Sequence, residues 1–181
     1  AQARVNLAGA DLETSEVALS GAAQLSAKVQ ASGESATIDA DVDLGGAHLL
    51  LPGTVDKDRG VPMALHLAAT SAGALTTIKT ASLKLPGGDI VASGSLRRGA
   101  GGSMDLRVPT CDLDLGRLSR VLPVLRTSLP PALADGHLKL QLAVSGDPAA
   151  LSGARAKLSG FDLRAAGGRI GGEAEVVGLS E

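Results

Sequence analysis

Side chains that alternate apolar and polar with a period of two recur along nearly the whole chain, and no other feature limits the fold as tightly. Successive side chains of a strand point to opposite faces, so this pattern builds a sheet with one apolar and one polar face. A helix would need apolar residues every three or four positions. Leu25, Ala27, Val29 and Ala31 alternate with Ser26, Lys28, Gln30 and Ser32. Past Gly33 and Glu34, Ile38, Ala40, Val42 and Leu44 alternate with Asp39, Asp41 and Asp43, so the two runs read as a hairpin. Further strand-like runs cover 61–69, 80–85, 90–96, 103–108, 138–144, 154–158 and 173–177, separated by turns bearing Gly, Pro or Asp. Many short strands at this spacing predict a mainly β fold, an antiparallel meander curled into a trough or closed as a sandwich. The Gly-Gly pairs beginning at Gly45, Gly87, Gly101, Gly167 and Gly171 are expected at strand ends, where a positive φ or a bulge is needed. Their number also lets a sheet bend.

One stretch departs from the alternation. Leu115, Leu118, Val121, Leu122 and Leu125 recur at helical spacing, with Asp114 placed to cap the N-terminus and Pro130 and Pro131 beyond the end. The spacing predicts one short amphipathic helix over 115–125, stopped or kinked near Leu122 by Pro123. A second helical turn is expected over 147–151, where Pro148 follows a capping Asp147. No linker rich in charge or proline divides the chain, so residues 1–181 read as a single β-rich segment.

Composition narrows what such a sheet can do. Hydrophobic residues make up 44% of 181, nearly all Ala, Val and Leu, with Phe161 the one aromatic, so any interior is built from small and aliphatic side chains. The 17 basic and 19 acidic residues are interspersed, which leaves no basic stripe for a phosphate backbone and argues against nucleic-acid binding. Cys111 is the single cysteine; it has no internal disulfide partner and no neighbour at metal-ligand spacing. No apolar run approaches the roughly 20 residues that a membrane-spanning helix needs. The chain opens at Ala1 without an initiator Met, and a piece of a longer protein, with any anchor outside it, is the expectation.

Catalysis needs acids, bases or nucleophiles brought together, and the pattern supplies none. His48, His66 and His137 each lie in a strand-like run without a local partner motif and read as surface strand residues. No serine sits in a nucleophile elbow and no glycine run forms a phosphate loop. Asp56, Asp58 and Gly60 resemble the start of a calcium loop, but the glycine comes too early and no closing Glu follows, so a polar turn is expected. Asp112 and Asp114 fall on one polar strand face leading into the helix, as a solvated edge and a cap. Arg97 and Arg98 beside the glycines of 99–102 read as a hairpin tip. The expectation is a non-enzymatic chain without cofactor or metal.

Over 103–178 the order of features resembles the β region of the AsmA-like family, which includes TamB and related bacterial envelope proteins. A strand at 105–108 leads into Asp112-Leu-Asp-Leu-Gly-Arg-Leu-Ser-Arg-Val-Leu-Pro123, similar to the family's aspartate, aliphatic helix and leucine-proline ending. Leu129-Pro-Pro-Ala-Leu133, Asp135-Gly-His-Leu-Lys-Leu140, Val144-Ser-Gly-Asp-Pro148, Lys157-Leu-Ser-Gly-Phe-Asp-Leu163 and Gly167-Gly-Arg-Ile170 follow in order. The N component of the type II secretion system is similar in pattern. The resemblance implies an envelope protein, periplasmic and anchored in the inner membrane through a segment absent here. Its curled sheet would shield phospholipid acyl chains moving between the two membranes, or support outer-membrane assembly. On that reading the candidate lipid-facing residues are Ile38, Val42, Val61, Met63, Leu65, Leu67, Leu138, Leu140, Leu142 and Val144, while Lys28, Gln30, Asp39, Asp41, Asp43, Lys139 and Gln141 face water. The competing reading is a β-sandwich scaffold, its apolar face covered by a second sheet and free of ligand.

Overall fold

The computed structural model describes residues 2–13, 17–99, 101–148 and 150–178. Twelve strands join in one antiparallel sheet: β1 (Gln2–Glu13), β2 (Ala18–Ser32), β3 (Ser35–Asp43), β4 (Ala47–Leu51), β5 (Val55–Lys57), β6 (Ala64–Ala72), β7 (Leu75–Leu85), β8 (Gly88–Arg97), β9 (Ser103–Asp114), β10 (His137–Asp147), β11 (Ala150–Ala165) and β12 (Gly168–Val177). The order across the sheet is β12-β11-β10-β9-β8-β7-β6-β3-β2-β4-β5, with β1 on the other side of β2. Among the described residues there is no second sheet, so these strands build the meander and not the two-layer sandwich.

The break in sequence order at β4 and β5 is a bend and not a crossover. β3 pairs with β2 over Gln24–Ser32, and β4 then runs on along the same strand against Ala18–Gly21. The two are one strand interrupted at 44–46. Gly21 makes the interruption feasible: its φ is +101°, and a Cβ there would sit 2.7 Å from the Gly46 carbonyl oxygen. β5 continues the deviation by pairing with β4 instead of extending β6.

Register sorts the side chains into two faces, because residues directly opposite one another share a face. One apolar row runs Leu25, Val42, Leu65, Leu83, Ile90, Cys111, Leu140 across β2, β3, β6, β7, β8, β9 and β10. A second runs Val29, Ile38, Ala69, Ile78, Gly94, Leu106, Val144, Ala156, Val176, from β2 to β12. The opposite face carries Lys28 against Asp39, Asp41 against His66, and Lys139 between Asp112 and Asp162.

Bulges keep this sorting intact where the sequence slips. On β9 an extra residue near Pro109 restores the register on both flanks, so the strand passes the proline and runs on to Asp114, beyond the 103–108 expected. On β11 the extra residue is Gly160, at φ +58°, and β11 therefore extends far past 154–158. An extra residue beside Lys79 does the same on β7.

Two helices lie on the apolar face at one end. α1 (Leu115–Val121) begins where Asp114 accepts a hydrogen bond from the Arg117 amide at 2.9 Å, and α2 (Pro123–Ser128) starts at Pro123. A 3₁₀ turn at Pro131–Leu133 follows. The single expected helix is thus divided at Leu122, because Pro123 has no amide to continue the first helix and suits the opening of a second. Leu115 and Leu118 bury with Cys111 and Leu113, and Leu85, Ile90, Leu138, Leu140 and Leu163 pack around them. β5 also meets both helices. There the Lys57 side chain is fully enclosed, its Nζ donating to the carbonyls of Ala47 at 2.6 Å and Asp58 at 3.1 Å. Burial pushes its pKa down, partly offset by Asp43 and Asp58.

Other expectations need correction. No helical turn forms over 147–148: Asp147 ends β10, Pro148 lies in a tight turn, and β11 begins at Ala150. Gly45, Gly87, Gly101 and Gly167 mark turns as expected, whereas Gly171 and Gly172 sit within β12.

A candidate apolar binding face

Eight of the ten candidate lipid-facing residues share the apolar face. Ile38 and Val42 stand on β3, Leu65 and Leu67 on β6 directly beside them, and Leu138, Leu140, Leu142 and Val144 on β10, four strands away from β6. Val61 and Met63 are not strand residues, because β6 opens only at Ala64. The 60s loop instead ties the bend, with the Leu44 amide donating to the Met63 carbonyl at 2.9 Å. Leu138 and Leu140 are packed against the helix-covered core, so they are no open surface.

The face is therefore uneven. Between β2 and β6 it is partly open: Leu25 is 41% exposed, Val29 37%, Ile38 36% and Leu65 43%, whereas the small Ala23 and Ala69 on the same face are buried. Those four are close neighbours, since Leu25 and Leu65 flank Val42 and Val29 opposes Ile38. Sequence reasoning missed Leu25 and Val29 as candidates, although they stand in the alternation first noted. Beside α1 and α2 the same face becomes a closed core. A hollow of about 250 Å³ opens at the margin of that core, lined by Ala132, Leu133, Leu163, Ala165 and Ile170, with Arg169 at its rim.

The polar face holds the ionisable groups, and cross-strand pairing accounts for them. Asp41 meets His66 at 2.8 Å and also accepts from Ser26. Asp112 meets His137 at 2.5 Å and Lys139 at 2.7 Å, and its carboxyl is held below the ordinary carboxylate range chiefly by the hydrogen bond from Lys139. Asp162 is held down in the same way, first by Arg169 and then by Arg164. Asp39, Asp41 and His66 bring one ligating atom each within 4.8 Å of one another, but all are solvated and the Asp41–His66 contact explains the grouping. His48 lies in β4 opposite Ser20 and lines an open, solvent-facing hollow with Ser20, Asp58 and Arg59, where Arg59 donates to the Ser20 hydroxyl at 3.3 Å. Asp58 and Gly60 form the polar turn after β5, and Arg97 ends β8 at its hairpin tip. Burial, with the neighbouring Asp112, pushes the Cys111 thiol pKa up, which keeps it protonated and unreactive.

Among the described residues no helix is long and apolar enough to cross a membrane. The chain matches no known family model, no curated protein and no solved structure.

Proposed function

We propose that the chain is part of a bacterial envelope protein whose curled sheet holds phospholipid acyl chains on its apolar face and shields them from water between the inner and outer membranes. The observation that carries this reading is the partly exposed cluster of Leu25, Val29, Ile38 and Leu65 on a face that stays apolar from strand to strand. An exposed contiguous apolar patch on a folded chain marks an interaction surface. Each methylene of a lipid tail laid on it gains about 0.8 kcal/mol. Small and aliphatic side chains, with Phe161 and no Trp or Tyr, leave room above the sheet for a tail. The resemblance of 103–178 to the AsmA-like family supplies the envelope setting.

Native mass spectrometry with lipid extraction tests the reading. The purified chain is expected to carry phospholipid that added lipid displaces. Leu65→Asp should remove it, while Gln30→Lys on the polar face should not. A clean apo mass with a cooperative melt and no lipid uptake, or equal behaviour of the two variants, would overturn it.

A further inference from the structure

The apolar face has two unlike ends. Where β6 begins, Ala23, Ala47 and Lys57 are buried, and β5 with α1 and α2 closes the face. The Lys57 ammonium is enclosed there, with two carbonyls as its partners, and is out of reach of any ligand. At the opposite end the strands finish in short connections after Ser32, Ala72 and Arg97. The last row of facing residues at that rim runs Ala31, Ala36, Ser71, Thr76, Leu96 and Met104, from β2 to β9. It lies two residues beyond the row of Val29 and Ile38 on every strand, so Ser71 and Thr76 bring hydroxyls onto the apolar face.

Arg98 stands just past this row. Its amide donates to the Ala74 carbonyl at 3.0 Å, which carries the β7–β8 pairing one step beyond Leu75 and Arg97. Alternation then sets Arg98 on the face of Leu96, next to Thr76 and exposed. No carboxylate among the described residues pairs with it. The acids at the same rim, Glu34 and Asp147, are three and two strands away, which leaves the β7–β8 side to an anion. From Ser71 to Leu65, β6 runs about 20 Å, enough for a tail that fills one bilayer leaflet, about 15 Å. We infer, on the lipid reading above, that the lipid lies along the strands, its tail end toward the closed end of the face and its head-group phosphate at Arg98. The Ser71 and Thr76 hydroxyls donate to that phosphate. In this orientation the charge stays at the wet rim while the tail is covered. The reverse would desolvate the phosphate at the closed end, which is costly.

Isothermal titration calorimetry tests this with two single-tail amphiphiles kept below their micelle concentrations, lysophosphatidate and the monoacylglycerol of the same chain. Circular dichroism confirms that each variant folds. Lysophosphatidate is expected to bind about tenfold more tightly. Arg98→Gln should erase that preference and leave monoacylglycerol binding as it was, whereas Lys28→Gln, on the polar face, should change neither. Leu65→Asp should weaken both alike. A nitroxide at the methyl end of the tail should broaden the amide resonances of Leu65 and Leu83 and spare those of Ser71 and Thr76. If neither amphiphile binds, the lipid reading and the head-group position fall together. If both bind equally, if the preference survives Arg98→Gln, or if the nitroxide broadens Ser71 and Thr76 first, the head group is not at Arg98 while the lipid reading stands.

Discussion

The part of the sheet around β9 and β10 and the part formed by β2, β3 and β6 share one alternation of side chains but differ in what lies over the apolar face. Around β9 the helices α1 and α2 settle on it, and Cys111, Leu113, Leu115 and Leu118 are buried as in an ordinary core. Over β2, β3 and β6 the equivalent row stays open, with Leu25 and Leu65 more than two-fifths exposed. An apolar strand face therefore does not specify its own cover. It becomes core where the chain brings a helix back onto it, and remains a surface where it does not.

Truncating side chains in each part should separate them most widely. Leu118→Ala removes a buried side chain from the helix-sheet contact and should cost about 2–5 kcal/mol in urea unfolding. Leu65→Ala, half in solvent, should cost under about 1.5 kcal/mol. Equal losses would mean that the open face is covered in solution. Next comes Lys57→Ala, which leaves the Ala47 and Asp58 carbonyls without their enclosed donor; a loss of about 1–3 kcal/mol is expected. Lys57→Met, which keeps the aliphatic stem, should recover part of it if packing contributes.

Asp114→Ala removes the α1 cap and should cost about 1 kcal/mol, with the loss confined to the covered end in amide hydrogen exchange. Protection of β2 and β3 should be unchanged.

The smallest expected effect is one of pH. The carboxyls of Asp112 and Asp162 have folded pKa values below their unfolded ones, so their pairing stabilises the fold above the unfolded value, about 3.9, and is lost as pH falls through the folded values. Melting temperature should be flat from neutral pH to about 5 and decline below about 4. In Asp112→Asn that decline should be shallower, and added salt should reduce it in the wild-type chain because the Asp112 carboxyl is two-fifths exposed.

Much of the fold was legible in the alternation itself. The β2–β3 hairpin follows from Gly33 and Glu34 between two matching runs, and the break between α1 and α2 follows from Pro123. Strand ends were less legible. β9 reads as finished at Pro109, because a proline removes a ladder donor; only the bulge shared with β8 and β10 carries it through. β11 was cut short for a similar reason, since Gly160 interrupts the alternation that its neighbours restore. Val61 and Met63 fit an apolar periodicity but fall in the loop that anchors the 44–46 bend, a contact between distant residues that periodicity does not register.

By itself the sequence determined that this chain forms strands, and which side chains share a face, because a period of two is a local property of extended backbone. Tertiary structure alone decided which part of the apolar face is closed. The position of α1 and α2 over Cys111 and Leu140, their contact with β5 and the enclosure of Lys57 all depend on contacts between residues far apart in the chain. Such contacts follow from how the strands stack and curl, and no local pattern encodes that.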